Sequence, residues 1–158
     1  MARGSAYCTC EICKNGFVHH CEAENVEELE KDIDWFSKHN CICPTCFQKI
    51  KKRELLLAIQ KVEELFPDLP IIQGSSEHQI AYANHLRTKF VEKYLFLCLS
   101  VQEMIHDEPD RIVRILKKEE YPTFEESYTI PEITCAYLVF KNNQASILID
   151  MIRNTTYL

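Results

Sequence analysis

The pattern C-x-C-x-x-C occurs twice, as Cys8-Thr9-Cys10-Glu11-Ile12-Cys13 and as Cys41-Ile42-Cys43-Pro44-Thr45-Cys46. Two residues between paired cysteines let one tight turn aim both sulfurs at the same ion. Two such turns supply the four thiolates of a tetrahedral zinc site. Cys10, Cys13, Cys43 and Cys46 are therefore the expected ligands. Lys14-Asn15-Gly16 follows the first pair, and a glycine there can take a positive φ where the chain curls back. The 29 residues between Cys13 and Cys43 exceed the usual zinc-ribbon spacing, so a helix inserted between the two turns is expected.

Seven of the nine cysteines lie at or before position 46. Cys8, Cys21 and Cys41, with His19 and His20, are left over. They could complete a second metal site, or they could pack around the first. One ion is the preferred reading. Cys43-Pro44-Thr45-Cys46 opens a helix as redox motifs do, but such a motif should follow a buried strand in a βαβ unit, and no such unit is legible. Buried core thiols would not repeat a spaced motif. Cys98 and Cys135 lie in apolar runs and are expected in the core.

Nothing else advertises chemistry. Glu103 and His106 have the spacing of half a di-iron ligand set, but the second half is missing, so a surface helix face is expected. His78 and His85 have no acid partner at useful spacing. Neither a glycine-rich phosphate loop nor a G-x-S-x-G turn occurs. The chain reads as a binding protein rather than an enzyme.

The elements that must position these residues are helical. Val26, Leu29, Ile33 and Phe36 recur at three- and four-residue spacing, which predicts an amphipathic helix over 24–38. Apolar positions from Phe47 to Leu65 predict another over 45–66, stopped by Pro67 and Pro70. Ser76 and Gln79 read as a capping box opening a long helix over 77–107, with Ile80, Ala83, Leu86, Phe90, Tyr94, Leu97, Val101 and Ile105 on its buried stripe. Pro109 can start a helix over 109–119. Residues 120–130 read as an acidic, aromatic loop. Residues 131–141 and 144–153 read as two further helices, although the β-branched content of the first leaves a strand open. The expected fold is mainly α. An N-terminal four-cysteine zinc-binding module with an inserted helix, plus the helix that follows, occupies residues 1–66. Residues 67–75 are a linker, and 76–158 form a helical domain.

With 46% hydrophobic and 27% charged residues, the composition is ordinary for a globular protein. The net charge of −6 disfavours a duplex DNA binder and favours a partner with a basic surface. Between Glu22 and Asp34 stand seven acids and one lysine, and Glu27, Glu28 and Glu30 are candidate partner contacts. Lys51, Lys52 and Arg53 beside the zinc turns are the candidates for the alternative, a zinc-ribbon nucleic-acid binder or regulator. No apolar run has membrane-spanning length, no secretory signal is visible, and a reducing cytoplasmic location is expected.

The run Gly74-Ser75-Ser76-Glu77-His78-Gln79-Ile80-Ala81-Tyr82-Ala83-Asn84-His85-Leu86-Arg87 resembles G-S-x-K-Q-I-x-W-A-E-x-I-R, a segment of small proteins of Firmicutes and their phages that carry a zinc-binding N-terminus. Those proteins often end in S-A-K-x-W-I-D-N-R. Gln144-Ala145-Ser146-Ile147-Leu148-Ile149-Asp150-Met151-Ile152-Arg153 is similar to that ending. This chain has an extra serine, Tyr82 for the tryptophan and Asn84 for the glutamate. The resemblance implies a phage or mobile-element protein. Small acidic proteins from such elements include inhibitors of type II CRISPR effector nucleases, so it implies a protein partner of that kind.

Overall fold

The computed structural model describes residues 1–124 and 126–156. Nine elements follow one another among them: β1 (Ala2–Thr9), β2 (Gly16–Ala23), α1 (Val26–Lys38), α2 (Pro44–Leu65), α3 (Glu77–Lys93), α4 (Leu95–Asp107), α5 (Pro109–Leu116), α6 (Ile130–Lys141) and α7 (Ala145–Thr155). The fold is mainly α, with a small N-terminal sheet. It forms two compact units, 1–54 and 55–158, whose boundary falls within α2.

In the first unit β1 and β2 form an antiparallel hairpin, in register from Ala2↔Ala23 to Thr9↔Gly16. This hairpin is not among the expected elements, although the fold remains mainly α. Its inward positions on β1 are Ala2, Gly4, Ala6 and Cys8, small residues whose alternation with Arg3, Ser5, Tyr7 and Thr9 hardly registers as hydrophobic. They are small because α1 lies close against them: a Cβ on Gly4 would sit 2.8 Å from Cδ1 of Ile33 and 3.3 Å from Cδ2 of Leu29. Leu29 is buried, and Ile33 and Phe36 complete the contact with the sheet. Asn25 caps α1, its Oδ1 accepting from the Glu28 amide at 2.9 Å. The acids of α1 lie opposite its buried face.

In the second unit α3 packs on α7, α4 on α5 and α6, and α6 on α7. The core is built around Phe66, Phe90, Leu97, Ile112, Ile115, Ile133, Leu148 and Ile152, all essentially sealed from solvent. The predicted long helix over 77–107 is instead two helices, broken at Tyr94 (φ −112°, ψ 39°). No proline or glycine causes the break. It lets α3 lie along α7 while α4 lies along α6, which one straight helix could not do. Most of the predicted buried stripe survives it: Ala83, Leu86, Phe90, Leu97 and Val101 are buried, while Ile80, Tyr94 and Ile105 are partly buried against the core. The segment over 131–141, where a strand stood open, is helical as α6.

The caps differ in detail from the sequence expectation. Ser76 Oγ does accept from the Gln79 amide at 3.2 Å. The Gln79 side chain, however, accepts from the amide and hydroxyl of Ser75, at 2.9 and 3.0 Å, and not from Ser76. A full reciprocal box occurs at α6, between Thr129 and Glu132. Residues 67–75 are tied into the second unit. Gln73 donates to the Asn143 carbonyl and accepts from the Ala145 amide, at 2.7 and 2.8 Å. The buried Arg87 donates to the Pro70 carbonyl at 2.6 Å, and burial lowers its pKa. Gly74 has no side chain because a Cβ there would meet Cβ of Ala145 at 3.0 Å. The two segments of the resemblance thus pack on each other as α3 and α7.

Candidate metal centre

The first cysteine turn closes the hairpin. The Cys10 amide donates to the Asn15 carbonyl and the Lys14 amide to the Cys10 carbonyl, both at 2.9 Å. Lys14 takes the positive φ, 63°, and no glycine among the described residues does, so the curl falls two residues before the glycine expected to supply it. The second turn follows α1. Cys41 pairs with Cys10 in a parallel bridge, the Glu11 amide donating to the Cys41 carbonyl at 2.9 Å. Cys43 then stands at the start of α2, with Pro44 as that helix's first residue.

These two turns bring Cys10, Cys13, Cys43 and Cys46 together, all four sulfurs lying within 4.8 Å of one another. Cys13 and Cys43 are 3.8 Å apart. A tetrahedron with metal–sulfur bonds of about 2.3 Å has edges of about 3.8 Å, so the spacing suits one ion. Cys10, Cys43 and Cys46 are buried, Cys13 is exposed, and Phe17 packs against the cluster. The four cysteines could hold a metal ion.

Backbone amides support the charge such a site needs. The Cys43 amide donates to Cys10 Sγ at 3.3 Å, and the Cys46 amide to Cys43 Sγ at 3.4 Å. The second bond makes the Cys43 sulfur the cap of α2, where the helix dipole favours an anion. Amide donation, from Cys43 first, lowers the Cys10 pKa to about 6. The hydrogen bond from the Cys43 side chain, followed by burial, raises that of Cys46 to about 12. Four sulfurs so close cannot all be thiolates without a cation between them. A bound cation would remove that conflict.

The remaining candidates do not converge, and among the described residues no second cluster of this kind forms. Cys21 pairs with Gly4 and Cys8 with Phe17. The two cysteines are thus offset by four residues, about 13 Å along the hairpin. Cys8 and Cys41 both donate to the Phe36 carbonyl, at 3.4 and 3.7 Å. Burial, then the Cys41 thiol, pushes the Cys8 pKa up. His19 turns inward and packs against Phe36 with the rings tilted by 36°, centroids 4.0 Å apart. His20 turns outward to Ser5 Oγ at 3.1 Å. Cys98 and Cys135 are core thiols whose pKa values burial raises to about 12.

Glu27, Glu28 and Glu30 are exposed on α1, and Glu27 pairs with Lys31 at 2.9 Å. Lys51, Lys52 and Arg53 are exposed on α2. Lys51 pairs with Glu54 at 3.2 Å and lies over the Phe47 ring. His106 bonds to Asp107 at 2.7 Å on the surface, and among the described residues it joins no metal-holding cluster with Glu103. The sequence pattern did not disclose the amide-to-sulfur bonds, because they depend on how the two turns abut. The class these features define is a mainly helical protein with a small sheet and a four-cysteine cluster able to hold a metal. No helix among the described residues is long and apolar enough to cross a membrane. No protein-family model, curated protein or solved structure matches the chain.

Proposed function

We propose that the chain is a non-enzymatic zinc protein that works by binding a protein partner. The observation that carries this reading is the closed set of four sulfurs within 4.8 Å. Thiolates in a tetrahedron suit zinc, and four protein ligands leave no position for a reacting water or substrate. When bound, zinc would supply a cross-link between the hairpin turn and the start of α2. The chain's own residues hold it: Cys10 and Cys13 from the hairpin, Cys43 and Cys46 from α2, with the Cys43 and Cys46 amides offsetting thiolate charge. So held, α1 would present Glu27, Glu28 and Glu30 on its solvent face.

A helix face of this charge fits a basic groove of a nucleic-acid enzyme. The resemblance to phage proteins makes a type II CRISPR effector the partner to try, since its guide–target channel is positively charged. Complementary charge would speed association and compete with nucleic acid. The test mixes the protein with a type II effector, guide RNA and target DNA. Cleavage should fall, and the inhibition should weaken when Glu27, Glu28 and Glu30 become lysine. No binding and no inhibition across several effectors would remove the reading. Direct binding of RNA or DNA, lost on neutralising Lys51, Lys52 and Arg53, would favour the nucleic-acid binder instead.

A further inference from the structure

In the second unit, α4 leaves two large apolar side chains in solvent. Phe96 is 69% exposed and Leu99 39%, although Leu97, Cys98 and Val101 of the same helix are sealed in the core. Phe96 and Leu99 line a groove of about 650 Å³, shared with Phe124 and Tyr128 of the segment after α5. That volume is typical of a ligand site. Aromatic surface gathered in one concave place marks an interaction site rather than scattered exposure.

The rim is acidic. Glu103, Glu126 and Asp107 line the same groove, Asp107 being already paired with His106 at 2.7 Å. Arg111, the cation among the lining residues, is already committed. Its Nη1 donates to Glu108 at 3.1 Å, its Nε to Glu120 at 3.0 Å and its Nη2 to Thr123 at 2.6 Å. Those bonds balance its charge and pin the Thr123 segment to α5, so Arg111 builds the wall without neutralising the rim. Among the described residues Glu103 has no ion-pair partner. Glu126 accepts from the neutral Tyr128 hydroxyl at 2.9 Å. The acids do not converge as metal ligands. An apolar floor under uncompensated carboxylates calls for an occupant with apolar side chains and positive charge on one molecule.

We propose that this groove docks a basic amphipathic peptide segment of a partner protein. The segment's apolar side chains would cover Phe96, Leu99 and Phe124, while its lysines or arginines meet Glu103 and Glu126. Apolar burial supplies the affinity, and the acidic rim selects basic segments and speeds their encounter.

The test uses the full metal-loaded chain and a fluorescein-labelled amphipathic helical peptide of leucine and lysine, with a leucine–glutamate analogue as control. Fluorescence anisotropy should show binding of the lysine peptide alone, weakened as salt rises from about 50 to about 300 mM. Phe96→Ser and Glu103→Lys, both at exposed positions, should each weaken binding about tenfold or more. Glu92→Lys, a matched charge reversal at an exposed position of α3 away from the groove, should leave it nearly unchanged. Failure of the lysine peptide to bind at the lower salt would overturn the proposal. An equal loss from Glu92→Lys would overturn it too, since that means diffuse attraction to an acidic protein. A homodimer in sedimentation, dispersed by Phe96→Ser, would show that a second copy covers the groove and would equally overturn it.

Discussion

The Cys43 amide points at the sulfur of Cys10, 3.3 Å away, so the backbone of the second cysteine turn solvates the thiolate of the first. The two turns stabilise each other's chemistry even before an ion cross-links them. Zinc-bound thiolates are shielded from alkylation, and a chelator should expose them. In the native, metal-loaded protein, iodoacetamide should leave Cys10, Cys13, Cys43 and Cys46 unmodified, and all four should react after chelation. Cys98 and Cys135, with pKa values raised by burial to about 12, should stay unreactive until the second unit unfolds. Peptide mapping by mass spectrometry reads both results. Rapid labelling of Cys98 in the native protein would show that its helix is not packed as described.

The contact between Gly4 and α1 gives a second expectation. A valine at position 4 would drive Cβ onto Cδ1 of Ile33, 2.8 Å away, beside Cδ2 of Leu29 at 3.3 Å, and the side chains of α1 would have to shift. Gly4→Val should therefore destabilise the first unit by about 1–3 kcal/mol, the usual range for overpacking. Gly4→Val with Ile33→Ala should recover much of that loss. Chemical denaturation of both variants checks the pairing. Equal stability of Gly4→Val and the parent would mean that α1 does not approach β1 so closely.

Helix starts and core positions in the second unit are separable by magnitude. Ser76→Ala and Thr129→Ala should each cost about 1 kcal/mol, the typical loss when a cap is removed. Leu97→Ala should cost about 2–5 kcal/mol, because Leu97 is fully buried near the break between α3 and α4. Thermal denaturation ranks them. A Leu97→Ala midpoint no lower than that of Ser76→Ala would contradict the assigned core.

The legible parts of the fold were those in which one residue type carries one signal. Paired cysteines named the cluster, and Val26, Leu29, Ile33 and Phe36 named α1. The hairpin was hidden because its inward face uses Gly4, Ala6 and Cys8, whose small size answers the closeness of α1 and so reflects packing rather than periodicity. The break at Tyr94 was hidden for a similar reason. Nothing local interrupts the helix there, and only the need of α3 and α4 to face different partners separates them. Glu132 as the capping partner of Thr129 is present in the sequence, but the helix expected over 131–141 carries no expected cap, and its β-branched run leaves a strand open. For Cys8, Cys21 and Cys41 residue type was not enough, since strand register, set by the whole hairpin, decides which sulfurs can meet.

The central claim is that four particular cysteines hold one structural zinc, and metal content per chain tests it most directly. Elemental analysis of the purified protein should find about one zinc per chain. Cys13→Ser and Cys46→Ser should lose it, whereas Cys8→Ser, Cys21→Ser and Cys41→Ser should keep it. A protein free of zinc with an unchanged thermal profile would contradict the claim, and so would two ions per chain with one lost on Cys8→Ser.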